Sequence, residues 1–326
     1  MRGRRGTHKT EQEQERGRNV TRSILVTGGT VFISRFIATY FVESGDDVTV
    51  LNRGSHPQIA GVRTLIADRH NLDHMLDGEH FDAVIDATAY NACDVLDLAR
   101  GLEHAKVGTT IMVSSSAVYP ETNLQPFAEG VRLGRNTFWG DYGTGKIEAE
   151  RALLQCVNDA YIVRPPYLYG PMNNLYREAF VFDCAREDRC FYLPHDGGMR
   201  LQFFHVRDLC RFFELIIGAK PEQRVFNVGN PDSVSVREWV DMCYAAVGKT
   251  ATYATVDNVE ARKFFPFHDY EYRLDVHAQQ ELMPKVTPMD DGLRESYDWY
   301  RAHMEQVNAH PYTQYIDLHL APRPTH

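Results

Sequence analysis

Residues 23–34 read SILVTGGTVFIS: a short apolar run, a pair of glycines and the start of an amphipathic segment. The apolar run at 23–27 is typical of a buried strand. From 31 to 44 the apolar side chains recur with helical spacing. A glycine turn between a first strand and a first helix lets backbone N–H groups approach a pyrophosphate at the helix N-terminus. The stretch therefore predicts a strand, a phosphate-binding turn and a helix.

The same alternation continues through the first half of the chain. Further short apolar runs stand at 48–51, 64–67, 83–86, 110–114 and 161–164, with helical patterns near 92–103 and 142–157 between them. Strands that are apolar almost throughout and separated by helices indicate a parallel sheet covered on both faces. The sequence therefore predicts an α/β protein with a doubly wound parallel Rossmann sheet, whose ligands bind at the carboxyl ends of the strands.

The regular alternation of strand and helix patterns ends after residue 170. Further helices are predicted at 175–187 and 207–218, and further strands at 202–206 and 224–228. A capping box of Ser235 and Glu238 marks the start of another helix. A last helix is predicted to start at Thr287-Pro288. The predicted divisions are a disordered basic tail at 1–20, a Rossmann domain at 21–170, a smaller C-terminal α+β substrate lobe at 171–303 and a C-terminal tail at 304–326. Residues 202–230 are expected to return to the Rossmann domain.

Composition excludes several classes of protein. The 326 residues carry a net charge of −9, and residues 1–18 hold six basic side chains against three acids, which leaves −12 for the remainder. An acidic body argues against binding to a nucleic-acid backbone. No apolar stretch is long enough to span a membrane. The six cysteines form no CxxC pair or metal-ligand spacing, so we expect no metal site and a reducing, cytoplasmic location.

The glycine turn is incomplete, because Val31 and Ser34 stand where a full fingerprint has glycines. Its position directly after the first strand still favours a dinucleotide. The predicted cofactor contacts in the turn are Gly28, Thr30, Val31, Phe32 and Ile33.

The end of the second strand bears on the choice of cofactor. In this fold an acid about 20 residues after the glycines binds the ribose of NAD, but here Asn52 is followed by Arg53. A guanidinium pairs well with a 2′-phosphate, so the sequence favours NADP(H), with NAD(H) as the alternative. Asp68 is expected to contact the adenine. The small Ala87 and Ala89 are expected to let the cofactor lie against the backbone.

Tyr142 and Lys146 are four residues apart at the start of a helical pattern, so both point to one face. A tyrosine with an ordinary pKa near 10 acts as a base at neutral pH only where positive charge favours the phenolate, and Lys146 would supply that charge. Ser115, at the end of the fifth predicted strand, lies 27 residues before Tyr142. Its hydroxyl could hold a substrate alcohol or carbonyl while Tyr142 moves the proton.

These motifs belong to a wider set. It comprises the glycine turn, the three catalytic candidates, RPPYLYGP at 164–171, FFHVRD at 203–208, FNVG at 226–229 and GLRES at 292–296. With them the chain resembles an extended short-chain dehydrogenase/reductase, of the NAD(P)-dependent epimerase/dehydratase family that acts largely on nucleotide sugars. The glycine turn with NRG at 52–54 is most similar to the subgroup containing chloroplast stem-loop-binding proteins.

The resemblance implies roles for individual residues. It implies Ser115 as a hydrogen-bond donor, Tyr142 as the acid/base, and Lys146 as the group that tunes its pKa and binds the ribose. The reactive ring would lie beside Pro165 and Tyr167. A homodimer built on the helices at 92–103 and 142–157 is also implied.

Two departures from the family's pattern concern the substrate. Ser116-Ala117 stand where 4,6-dehydratases carry Asp-Glu, which argues against dehydration by that route. The arginine expected to grip a sugar-nucleotide diphosphate is Leu201, and Arg200 beside it could substitute. The predicted substrate contacts are Tyr90, Ser116, Trp139, Arg200 and His268.

Two functions of different classes remain open at this point. The first is an NAD(P)-dependent epimerase or reductase that acts on a secondary alcohol or ketone of a sugar or nucleotide sugar. The second is a non-catalytic or RNA-binding Rossmann protein, which the subgroup resemblance, the altered glycine turn and the basic tail favour.

Overall fold

The structure is a computed structural model that describes residues 21–321. The predicted N-terminal tail and residues 322–326 lie outside the described residues. The strands are β1 (Ser23–Thr27), β2 (Asp47–Asn52), β3 (Arg63–Ile66), β4 (His80–Asp86), β5 (Lys106–Val113), β6 (Ala160–Arg164), β7 (Tyr167–Tyr169), β8 (Phe191–Pro194), β9 (Arg200–Leu201), β10 (Phe203–His205), β11 (Val225–Asn227), β12 (Val234–Ser235) and β13 (Tyr253–Val256). The helices are α1 (Phe32–Glu43), α2 (Ala92–Gly101), α3 (Gly140–Cys156), α4 (Glu178–Arg186), α5 (Val206–Ala219), α6 (Val236–Val247), α7 (His277–Leu282), α8 (Met289–Ala302) and α9 (Tyr312–His319).

A seven-stranded sheet combines the six strands β1 to β6 of the first half of the chain with β11, in the order β11-β6-β5-β4-β1-β2-β3. Every neighbouring pair in it is parallel. Its central strands are buried on both faces because their sequences are apolar almost throughout. The strand order reverses between β1 and β4, and this switch point opens a crevice at the carboxyl ends of the strands. The doubly wound Rossmann prediction is confirmed.

Helices cover the two faces of the sheet. α1 and α5 pack together on one face, and α2 and α3 pack together on the other. A reciprocal capping box between Asn91 and Asp94 sets the start of α2 directly after β4. None of the helices within residues 21–321 is both long and apolar enough to cross a membrane.

The second half builds an aromatic-rich core among α4, α6 and α8. Three two-stranded sheets border it: β7 with β10, β9 with β12, and β8 with β13. The chain returns to the first core between them, because α5 packs on α1 and β11 pairs with β6 at the edge of the main sheet.

The C-terminal region differs from the sequence prediction. Residues 304–326 are predicted as a tail, but residues 304–306 form a short 3₁₀ turn and Tyr312–His319 forms α9. Tyr312 and Ile316, four residues apart, are both 3% exposed. Pro311 stands at the N-cap and therefore marks the start of a helix rather than a break. Part of the predicted tail is packed structure.

Candidate functional site

A cavity of about 370 Å³ opens at the switch point of the sheet, and we call it the sheet-edge cavity. Gly28 and Gly29 shape it with φ angles of +89° and +79°, which favour glycine. A Cβ on Gly28 would lie 2.8 Å from the Ser34 hydroxyl and 2.9 Å from a Thr88 methyl. The turn therefore has no room for a side chain.

α1 begins at the floor of this cavity. Val31 is its N-cap and forms no side-chain capping bond, so backbone N–H groups of the first turn are left for another acceptor. Thr30 and Val31 line the cavity as predicted contacts. Phe32 and Ile33 turn their side chains into the core, which leaves only their backbone for a ligand.

Asn52 at the end of β2 holds the glycine turn in place. Its amide nitrogen donates to the Gly28 carbonyl at 2.8 Å, and its oxygen accepts from the Gly54 N–H at 2.9 Å. The predicted contacts Arg53 and Asp68 line the rim of the cavity and are exposed. Arg53 thus lies at the rim of the cavity, while the Asn52 side chain is bonded to the glycine turn.

Beyond β4 the predicted contacts Ala87 and Ala89 leave only their backbone for a ligand. Their side chains face the packed cores, and Ala89 is fully buried, because Thr88 between them takes the position on the cavity wall. Below Thr88, Arg69 pairs with Asp86 at 2.8 Å. Burial alone would raise the pKa of Asp86, but the charge and hydrogen bonds of Arg69 hold that pKa below its usual value.

The Arg69–Asp86 pair was missed from sequence. Its only signals are an acid at the end of β4 and an arginine after Asp68, and neither indicates that the two meet.

The three catalytic candidates converge beside the sheet-edge cavity. Ser115 follows β5, and the first turn of α3 presents Tyr142, which is 41% exposed and interacts with Ser115. Lys146, one turn later, is 3% exposed. Its ammonium donates to the Ala89 and Val113 carbonyls at 2.6 and 2.9 Å. It lies 5.9 Å from the centre of the Tyr142 ring.

Glycines bring the start of α3 close to its neighbours. A Cβ on Gly145 would lie 2.5 Å from the Tyr90 carbonyl, and one on Gly143 would overlap the Ala117 carbonyl. This close approach places Tyr142 against Ser115. It also places Tyr142 6.3 Å from the ring of Tyr90, a predicted substrate contact that is 55% exposed and lines the sheet-edge cavity.

The surroundings shift the pKa values of Lys146 and Tyr142. Burial lowers the pKa of Lys146 to about 8, against the opposing effect of Asp86 and Glu150. Burial raises the pKa of Tyr142, and the interaction with Ser115 and the charge of Arg177 oppose that rise. Positive charge therefore reaches Tyr142 from a residue that the sequence did not single out.

A second cavity, of about 210 Å³, lies near the start of α3, where Trp139 lines it, and we call it the aromatic cavity. It contains the predicted residues Trp139, Tyr167 and His268, with Trp139 and His268 in edge contact at 5.0 Å. Arg177 and Arg262 also line it. Both arginines stand in segments without a recognisable motif, so sequence reasoning missed them.

Three other predicted contacts form hydrogen bonds within the protein. Ser116 is 6% exposed and donates to the Tyr272 hydroxyl at 3.1 Å, so it is buried away from a substrate. Arg200 does not reach the aromatic cavity, because its side chain donates to Ser233. Pro165 is buried, and its carbonyl accepts the Ser116 N–H at 2.9 Å. Within the described chain no three His, Cys, Asp or Glu side chains are grouped to hold a metal ion.

The chain is similar in sequence to proteins of known function. The chain is 27% identical over 303 residues to the chloroplast stem-loop binding protein of 41 kDa b of Arabidopsis thaliana, with 85% of this chain and 79% of that protein covered. It is 23% identical over 326 residues to the dTDP-D-glucose 4,6-dehydratase of Mus musculus, with 85% and 88% covered.

Among solved structures, the dTDP-glucose 4,6-dehydratase of Bacillus anthracis in complex with NAD has the same fold. The TM-score is 0.70 at 19% identity, with 88% of this chain and 99% of that chain covered. The sequence profile of the NAD dependent epimerase/dehydratase family matches residues 24–229. Since that match spans more than half of the chain, the protein belongs to the NAD dependent epimerase/dehydratase family.

Proposed function

We propose that the protein is an NAD(P)-dependent oxidoreductase or epimerase that acts on a secondary alcohol or ketone of a sugar or nucleotide sugar. The observation that carries this proposal concerns Tyr142, because residues beside it line both cavities. It contacts Tyr90 on the sheet-edge cavity, and Trp139, one turn earlier, lines the aromatic cavity. A cofactor on one side and a substrate on the other would both reach its hydroxyl.

The sheet-edge cavity fits a dinucleotide. The uncapped start of α1 and the glycine turn, which excludes a Cβ, suit a pyrophosphate. A nicotinamide dinucleotide bound there would supply the acceptor and donor of hydride. Ser115 would hold the substrate oxygen, and Tyr142 would take or return its proton. Lys146, fixed by two carbonyls, would keep positive charge under the phenol.

The end of β2 supports NADP(H) as the cofactor of this chain. Arg53 stands exposed at the rim, with Ser55 and His56 beside it, and no carboxylate occupies position 52. The NAD in the solved relative belongs to that protein. A guanidinium at the rim favours the extra phosphate of NADP(H).

Replacing Arg53 with alanine should weaken NADPH binding by about 1–3 kcal/mol and change NADH binding much less, since only NADPH carries the phosphate. Fluorescence titration of both dinucleotides into the wild type and the variant measures this. Arg132→Ala, which removes an exposed arginine elsewhere, is the matched control. Equal losses for the two dinucleotides would assign Arg53 another role, and a wild type that binds neither would overturn the proposed function.

Reduction and epimerisation use the same proton transfer, and the fate of the cofactor separates them. An epimerase returns the hydride to the same substrate, so its dinucleotide can stay bound. A reductase must exchange its dinucleotide at every turnover. Mass spectrometry of the small molecules released on denaturation would show a retained dinucleotide in the first case only.

We also propose that the protein is a homodimer built on α2 and α3. Leu96 and Leu154 are 43% and 49% exposed on this face. A groove of about 610 Å³, lined by apolar residues such as Leu102 and Val157, runs beside them. An apolar patch of this kind is typical of an interaction surface.

Light scattering should therefore give a mass of about twice the 37.3 kDa of one chain. Leu154→Glu should shift that mass to a single chain, because a charge cannot be buried without a partner. Leu124→Glu, at a loop position that is 91% exposed, should leave the dimer intact. A wild type that runs only as a single chain contradicts this proposal.

Nucleic-acid binding has three observations in its favour: the likeness to a protein named for stem-loop binding, the altered glycine turn and the basic residues at 1–18. The net charge of −9 opposes it. The site favours the enzyme, because a binding protein has no use for a serine, a tyrosine and a lysine arranged around one hydroxyl.

A further inference from the structure

The aromatic cavity has a charge that its walls leave uncompensated. Arg177 and Arg262 line it together with His268 and His310, and no Asp or Glu of the described range does so. We infer that this cavity binds the phosphate of a sugar monophosphate, and that the C-terminal residues 304–320, which we call the C-terminal strap, limit the substrate to that size. This inference rests on the proposed function, because it names the substrate class of the same site.

The two arginines are held by aromatic faces and a carbonyl rather than by acids. The Arg177 guanidinium lies 5.0 Å above the Tyr167 ring and 5.7 Å from the Phe267 ring. Arg262 donates to the Pro266 carbonyl. Across residues 21–321 neither arginine forms an ion pair. Partly buried guanidiniums without a carboxylate partner favour an anionic ligand.

The positive charge of the two arginines also acts on His268. Burial lowers the pKa of His268, and the charges of Arg262 and Arg177 lower it further, against the opposing charge of Glu260. The neighbouring acid Glu178 interacts with the charge of Arg177 but lies outside the cavity lining, where its buried carboxylate accepts from Asn173 at 2.8 Å. A dianionic phosphate would supply the missing negative charge.

The size of the cavity decides how much of a ligand enters. At about 210 Å³ it is smaller than the sheet-edge cavity of about 370 Å³. Pockets that enclose drug-sized ligands measure about 300–1,000 Å³. A nucleotide sugar adds a base, a ribose and a second phosphate to the hexose, whereas a sugar monophosphate adds one phosphate. The cavity suits the smaller ligand.

The C-terminal strap forms one wall of the cavity through Asn308, His310 and Tyr312. It is fixed at both ends. Gln306 accepts from Arg35 of α1 at 2.8 Å, and Asp317 pairs with Arg189. Between these points the Asn308 N–H donates to a backbone carbonyl at 2.9 Å, and Tyr312 is 3% exposed. A wall fastened in this way restricts the length of the ligand.

Calorimetric titration of the full chain with glucose 1-phosphate and with UDP-glucose tests the inference. We expect the wild type to bind glucose 1-phosphate about tenfold more tightly or better. Arg177→Met, which keeps the aliphatic stem and removes the charge, should weaken glucose 1-phosphate binding by about tenfold or more. Arg132→Met, at an exposed arginine outside both cavities, should leave it unchanged.

A double variant, Asn308→Ala with His310→Ala, tests the wall. Both residues are exposed, so the fold should be kept. Removing these two side chains should strengthen UDP-glucose binding and so reduce the difference in affinity between UDP-glucose and glucose 1-phosphate. Equal or tighter binding of UDP-glucose to the wild type, no binding of glucose 1-phosphate, or an unchanged ratio in the double variant overturns the inference. If dinucleotides bind and glucose 1-phosphate does not, only this inference fails; if glucose 1-phosphate binds and dinucleotides do not, the proposed function fails instead.

Discussion

Replacing Tyr142 with phenylalanine should lower the turnover number by about 10²–10⁴-fold, the usual contribution of a positioned acid/base. The variant keeps the ring that contacts Tyr90 at 6.3 Å and loses only the hydroxyl on the side of Ser115. Dinucleotide binding should stay nearly unchanged, because the sheet-edge cavity is lined by other residues. Turnover is followed at saturating substrate, and binding by fluorescence titration of the same sample.

Separate measurements of turnover and dinucleotide binding distinguish a catalytic role of the Tyr142 hydroxyl from a structural one. Tyr192→Phe removes the hydroxyl of a half-buried tyrosine on β8 and serves as the matched control, with wild-type turnover expected. A Tyr142→Phe variant with wild-type turnover would show that the proton goes elsewhere. Loss of dinucleotide binding in the variant would instead point to a structural role for the hydroxyl. It would leave the acid/base assignment without support.

The sequence predicts the sheet well because the signal for a buried parallel strand is local. Apolar runs such as 83–86 can be buried on both faces only in a covered sheet, so the layer arrangement follows from pattern alone. The prediction of a tail beyond residue 303 is wrong because the local signal for a helix there is weak. Pro311 is compatible with a break as well as with a helix start, and the helix it starts has only one buried pair, Tyr312 and Ile316, to indicate its period.

The site is predictable only where the fold itself places the residue. Tyr142 and Lys146 share a helix face, so their spacing already predicts their proximity. Ser116 and Ala89 lie just beyond strand ends, where the direction of each side chain depends on the local turn, and both are buried. Arg177 and Arg262 meet through tertiary packing between segments far apart in sequence, which no local pattern encodes.

Glu150→Gln should lower the free energy of unfolding by about 3–5 kcal/mol, because it leaves a buried guanidinium without its counter-charge. Glu150 and Arg164 are 3% and 4% exposed at their side chains and lie 2.6 Å apart. Burial would lower the pKa of Arg164, but the hydrogen bond and charge of Glu150 raise it above its usual value. Urea unfolding followed by fluorescence measures the change. The m-value, the slope of the unfolding free energy against urea concentration, should be the same for the wild type and the variant.

A surface pair offers the matched control. Arg63 and Glu79 lie 2.8 Å apart, but their side chains are 49% and 28% exposed. Glu79→Gln should therefore cost only about 0–1 kcal/mol, since water screens the pair and solvates the remaining arginine. Equal losses in the two variants would show that burial does not set the cost at Glu150.

The buried pair also connects stability to the site. Glu150 lies on α3, one turn beyond Lys146, and accepts from Ser114, the residue before Ser115. Arg164 ends β6 directly before Pro165. The pair thus fixes the catalytic helix to the strand ends that carry the other site residues. Glu150→Gln should accordingly reduce turnover at temperatures where the chain is still folded, whereas Glu79→Gln should leave turnover unchanged.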